Sequence, residues 1–173
     1  SFWSHSLTTA VLARLKAQSC KKSVSGIFVS GLLHDLGLPI EFSLCGESML
    51  EALDISVIND DISLLSAEEH VLGFSHPELG ALLCENWGLP EVVIETVRYH
   101  HNPAAATNHG AVVAMVAWAN IVESLGTGAD YASDLTPSMQ ATLASAQQTL
   151  PGVPLELPAD DELLEAAQEE AAD

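Results

Sequence analysis

Positive charge is the scarcest commodity in this 173-residue chain. Arg14, Lys16, Lys21, Lys22 and Arg98 are its only five basic residues, set against 24 acidic ones for a net charge of −19. Nucleic acids are bound largely by neutralising phosphates with Lys and Arg, so a surface this acidic repels such a partner. Cysteine is scarce too. Cys20, Cys45 and Cys84 are odd in number and lack any CxxC spacing, which excludes a disulfide framework or a zinc ribbon and suits a reducing compartment. The apolar runs near 26–33 and 111–119 fall short of the roughly 20 residues that a membrane span needs. No secretory leader, internal repeat or phosphate-cradling glycine loop is written in the chain. The expectation is a cytoplasmic protein without nucleic-acid or membrane partners, its acidity pointing to a salty habitat.

What is present is helical. With 48% hydrophobic residues, the chain can bury one sizeable core, and its apolar residues recur at helical spacing with no convincing strand alternation. A first helix carries Trp3, Leu7, Leu12 and Leu15 and fades near Lys21–Lys22. A second spans about 23–34, apolar on all sides, and halts at Asp35-Leu36-Gly37 before Pro39. A short helix over about 47–53 follows. Ser66 with Glu69 and Ser75 with Glu78 both fit the capping box. Helices over about 76–87, from Pro90 to about 101, over 110–125 and over 137–149 complete the body. Residues 1–150 read as the folded all-α domain. Beyond Leu150 a proline-rich connector leads to an acidic tail, expected to be a marginal helix or disordered and solvated.

The seven histidines carry the chemistry. His34 precedes Asp35 at the end of an apolar helix. His76 occupies the first turn after Ser75. His100 and His101 close their helix near the stripe of Val93 and Val97. Imidazoles from separate helices that meet inside a protein need something to bind, because an unpaired buried polar group costs about 1–3 kcal/mol. A His-rich, oxygen-poor set suits Fe, Mn, Co, Ni or Zn over Ca or Mg. His70 and His109 lack this setting and are expected at the surface.

The phrases FWSHSL (His5), GLLHDLG (His34, Asp35), GFSHPELGALL (His76), VRYHHNP (His100, His101) and MVAWANIVESL (Asn120) resemble the HD superfamily of metal-dependent phosphohydrolases. LGFSHPELGALLCENWGLPEVV and RYHHNP are most similar to its HDOD branch, the HD-related output domains of bacterial signalling proteins. The likeness runs from about Phe2 to Leu125. It implies an HD-like helical bundle, usually with a further N-terminal helical lobe that would fit the start at Ser1. Without that lobe, an apolar face would be left free to promote self-association. The resemblance also implies a metal site at His5, His34, Asp35, His76, His100, His101 and position 120.

Three departures follow from the same comparison. The late Asp of the pattern is Asn120, which offers an amide oxygen and no charge. The lysine that related HD-GYP phosphodiesterases carry three residues after the Asp of the pair is Leu38. Their GYP segment is replaced by NPAAATNHG. A phosphodiester hydrolase must neutralise developing charge and activate water, so these losses favour a non-catalytic signalling module with protein partners and a partly retained metal site. A metal-dependent phosphohydrolase with Asn120 in place of Asp is the alternative, and a helical interaction domain whose histidines only cap helices is the third reading.

Overall fold

The computed structural model describes residues 1–173 except 23, 60, 61, 131, 132, 159, 160 and 173. Among the described residues there are helices and no strand: α1 (Phe2–Ser19), α2 (Ile27–Leu33), α3 (Gly37–Ile58), α4 (Leu64–Leu72), α5 (His76–Asn86), α6 (Glu91–Tyr99), a 3-10 turn (Pro103–Ala105), α7 (Gly110–Leu125), α8 (Pro137–Thr149) and α9 (Glu162–Ala172). The all-α expectation is met. The helix expected over 76–87 is α5, and those over 110–125 and 137–149 are α7 and α8.

The fold is organised around α7. Its run from Val112 to Ala119 is buried without interruption, and Ile121 and Val122 extend it. A helix that is apolar all round has to be surrounded, and α1, α6, α8 and the 3-10 turn supply the cover. Leu12 of α1 joins Met115, Trp118 and Val122 in the main core. Trp118 buries its ring and keeps its polar edge satisfied, the indole Nε1 donating to the Glu156 carbonyl at 3.0 Å. A smaller cluster of Ala81, Cys84, Val93 and Val97 glues α5 to α6.

Several local expectations are corrected. Pro39 does not mark a stop: it lies in the first turn of α3, where a missing N–H costs no intrahelical bond. The stretch over 47–53 is the middle of this longer helix, which is kinked at Cys45. Residues 27–58 together have the length and hydropathy of a membrane span, although the shorter apolar runs did not, and the chain breaks them into two helices around Asp35. The second helix is shorter than expected, starting at Ile27. The cap of α4 is Ser63, whose Oγ accepts from Ser66 N–H at 3.2 Å, and Ser66 is inside the helix. The Ser75–Glu78 capping box stands as expected, Glu78 accepting the Ser75 N–H at 3.2 Å.

The acidic tail is not solvated along its length. Leu164 and Ala167 of α9 are fully buried against α1, and Glu170 pairs with Arg14. Val153 and Leu155 of the connector are buried as well. The outer side of α3, by contrast, leaves Leu44, Leu50, Val57 and Ile58 mostly exposed.

Candidate metal centre

Two glycines bring the helices that carry the histidines into register. At Gly31 an added Cβ would sit 2.8 Å from Ala10 Cα, so α2 lies directly on the backbone of α1. At Gly37 a Cβ would fall 2.0 Å from the His76 carbonyl oxygen, so the start of α3 touches the start of α5. The turn between these two glycines contains His34, the C-cap of α2, and Asp35. Asp35 is thereby held at the meeting point of α1, α5 and α6.

Four histidines converge on its carboxylate. Oδ2 lies 3.2 Å from His34 Nε2 and 3.4 Å from His5 Nε2. Oδ1 lies 3.2 Å from His100 Nε2 and 3.5 Å from His76 Nε2. His101 Nε2 is 3.2 Å from His76 Nε2. His34, His76 and His100 are buried, and Asp35 is 6% exposed. Donor atoms of Asp35, His76, His100 and His101 form one group close enough to share an ion, and those of His5, His34 and Asp35 form a second, with Asp35 common to both.

The ring orientations are set from outside. His34 Nδ1 donates to the Gly31 carbonyl at 2.7 Å, and His100 Nδ1 to the Val97 carbonyl at 2.9 Å. His76 Nδ1 faces the Glu68 carboxylate at 2.7 Å, and His5 Nδ1 is in short contact with Glu123. Where Nδ1 carries a ring's one hydrogen, as the carbonyl partners of His34 and His100 demand, Nε2 presents a lone pair to Asp35. Lone pairs facing a carboxylate repel unless a cation stands between them. His34 Nε2, His100 Nε2 and Asp35 Oδ1 are in fact buried without a hydrogen-bond partner. Buried polar atoms of this kind call for an unseen ligand, and imidazole nitrogens with a carboxylate are a donor set for a divalent transition metal. The residues fit an ion.

The electrostatics divide the histidines into two kinds. Burial opposes ionisation of Asp35, but His34, His100 and His5 outweigh it and hold the carboxyl well below its usual range. Burial lowers His100, and burial with the neighbouring imidazoles lowers His101 further, leaving both neutral and able to ligate near pH 7. His5 moves the other way. Burial opposes its charge, yet hydrogen bonds to Asp35 and Glu123 raise it to about 9. His76 is likewise raised, through Glu68 and Asp35, against the effect of burial.

Asn120 is half-buried on α7 and lines, with His5, Asp35, Leu38 and His101, a cavity of about 440 Å³ that opens onto this cluster. Among the described residues its one side-chain hydrogen bond is from Ser124 Oγ at 3.4 Å. The structure brings His5, His34, His76, His100 and His101 together around Asp35. His70 is exposed and His109 is partly exposed beside Glu91, as expected.

Sequence reasoning overlooks three carboxylates: Glu68, Glu123 and the fully buried Glu41, whose two oxygens have no hydrogen-bond partner. Burial, then the nearby Glu68, raises Glu41 to about 7. A faint signal exists for it, since Glu41 interrupts an otherwise apolar stretch, LGLPIEFSL. Glu68 and Glu123 carry none, being two of many acidic residues in an acidic chain.

An uncharacterized protein of Treponema pallidum (strain Nichols) is 31% identical over 127 residues, covering 69% of this chain and 24% of its own length. A crystal structure of an HDOD domain protein from Geobacter sulfurreducens superposes with a TM-score of 0.69 at 28% identity, over 99% of this chain and 59% of that one. A candidate phosphohydrolase from Shewanella amazonensis SB2B shares the fold with a TM-score of 0.66 at 19% identity, over 99% of this chain and 58% of the other. The chain therefore spans about a quarter of the Treponema relative and under two thirds of either solved structure. The profile of the HDOD domain matches residues 1–103, which include His5, the His34–Asp35 pair, His76 and the double histidine. By that match and the shared helical architecture, this chain belongs to the HDOD domain family.

Proposed function

We propose that the chain is a non-catalytic regulatory module of bacterial cytoplasmic signalling that binds a divalent transition metal at Asp35 and acts through protein partners, self-association included. The observation that carries the metal is the convergence of His34 Nε2, His100 Nε2 and Asp35 Oδ1, buried acceptors with no donor among them. Asp35 with His5 and His34 on one side, and with His76, His100 and His101 on the other, would hold Fe, Mn, Co, Ni or Zn. When bound, such an ion supplies Lewis acidity and charge compensation.

The chain's own residues argue against phosphodiester hydrolysis. The described cavity wall contains no Lys or Arg, and Leu38 lines it at the position where the resemblance to HD-GYP phosphodiesterases implies a lysine. Arg14 and Arg98 are paired with Glu170 and Glu85, and Lys16 lies over the Trp118 ring. A missing group of this kind commonly costs a factor of about 10² or more in rate. A second reading, a metal-dependent phosphohydrolase using Asn120, has one observation in its favour: the cavity opens directly onto Asp35, as a substrate would require. The fold shared with the Shewanella candidate phosphohydrolase is compatible with either reading.

The two part in an assay of the whole chain with added Mn²⁺ or Fe²⁺ against cyclic dinucleotides and nucleotides. The regulatory reading expects turnover far below the roughly 1 s⁻¹ at the lower end of ordinary enzymes. Turnover at or above that rate, lost in Asp35→Asn, overturns it in favour of the hydrolase.

A further inference from the structure

Among the four histidines around Asp35, His5 is held least firmly by burial. Its side chain is 23% exposed, against 0% for His34, 3% for His76 and 0% for His100. His34 and His100 are fixed through Nδ1 by main-chain carbonyls of their own helices. His5 has no such bond, and its Nδ1 meets the carboxylate of Glu123 instead. Glu123 is itself largely buried, at 17% exposed, and lies three residues after Asn120 on α7. The other nitrogen of His5 faces Asp35. His5 thus stands between two carboxylates, while Asn120 is neutral and has Ser124 as its hydrogen-bond donor.

We propose that Glu123, rather than Asn120, is the residue through which α7 serves the ion position beside His5 and His34: it anchors His5 by Nδ1 and supplies the negative charge that position 120 lacks. The inference rests on the metal-binding reading above. A carboxylate that accepts the Nδ1 hydrogen of a ligating imidazole fixes its tautomer and raises the basicity of the other nitrogen, and its loss costs about 10–100-fold in metal affinity. The opposite side of the site is built the same way, with Glu68 accepting from His76 Nδ1. Asp35 is then flanked by two outer carboxylates, each working through one histidine. Glu123 is a positioning residue in this account, because it reaches the ion position through His5.

Mn²⁺ titration of the whole chain by calorimetry, with the bound ion followed by electron paramagnetic resonance, tests this. Glu123→Gln is expected to weaken binding at one ion position by about 10–100-fold and to alter the spectrum of that ion. In chelator the variant should keep the wild-type helical circular dichroism and a cooperative melt, lowered only by loss of the His5–Glu123 pair, which separates anchoring from loss of the fold. Glu123→Asp should recover part of the affinity, and Asn120→Ala should lose less than Glu123→Gln. Wild-type affinity in Glu123→Gln, or a larger loss in Asn120→Ala, overturns the assignment. A wild-type chain that takes up no Mn²⁺, Fe²⁺ or Zn²⁺ instead overturns the metal-binding reading beneath it.

Discussion

Asp35 gathers more of the molecule's unresolved electrostatics than any other side chain described above. Its two oxygens face four imidazole nitrogens, and burial removes the water that would otherwise separate them. An ion bound there binds only the folded chain, so it stabilises by mass action: about 2.7 kcal/mol at a hundredfold excess over Kd. For a domain of this size that is a rise in Tm of about 5–10 °C. Asp35→Asn keeps the shape and removes the charge, and its Tm is expected to be insensitive to added Mn²⁺. Thermal melts with and without the ion check this, and an equal rise in variant and wild type would contradict it. His34, His76, His100 and His101 were legible in the sequence because they fall at helix ends beside apolar stripes, positions where a polar ring is forced inward, whereas His5 was legible only through the family resemblance. Glu68 and Glu123 were not, because burial of one carboxylate among 24 acidic residues is decided by tertiary packing, and Glu41 left only the faint mark of interrupting an apolar stretch.

At the scale of elements, the junctions do the positioning. Glu95 of α6 accepts from Thr107 Oγ1 at 2.6 Å and from the backbone N–H of Thr107, Asn108 and His109, the last at 2.7 Å. It therefore caps the approach to α7 from the helix that carries His100, tying Asn120 and Glu123 to the rest of the site. Burial disfavours its charge, but these donors outweigh burial and lower its pKa. Because the folded value lies below the unfolded one, the stabilisation is present above the ordinary carboxylate range and is lost as pH falls through the folded value. Glu95→Ala should cost about 2 kcal/mol near pH 7, and the gap to wild type should shrink below about pH 4. Urea unfolding at the two pH values measures this, and a gap that stays constant would contradict it. The element boundaries that the sequence misplaced have a common cause. Ser63 and Ser66 are equally good caps, and Pro39 suits either a stop or a first turn. Local chemistry leaves each choice open, and packing of α3 on α4 and α5 closes it.

At the scale of the whole molecule, helical periodicity made the all-α fold readable, but it did not distinguish α7 as the helix at the centre. What the sequence hides in the tail is its docking, because seven acidic residues between 159 and 173 overshadow the sparse Leu163, Leu164 and Ala167 that pack α9 on α1. The result is a scaffold whose surface is strongly anionic and whose cationic need is internal, at Asp35. The most direct test is anomalous scattering from crystals of the full chain soaked in Mn²⁺ or Zn²⁺. A peak beside Asp35, on the side of His5 and His34 or on that of His76, His100 and His101, is the predicted result. Full occupancy of ions elsewhere on the acidic surface, with no peak beside Asp35 and the imidazole rings joined to it by direct hydrogen bonds, would contradict the account.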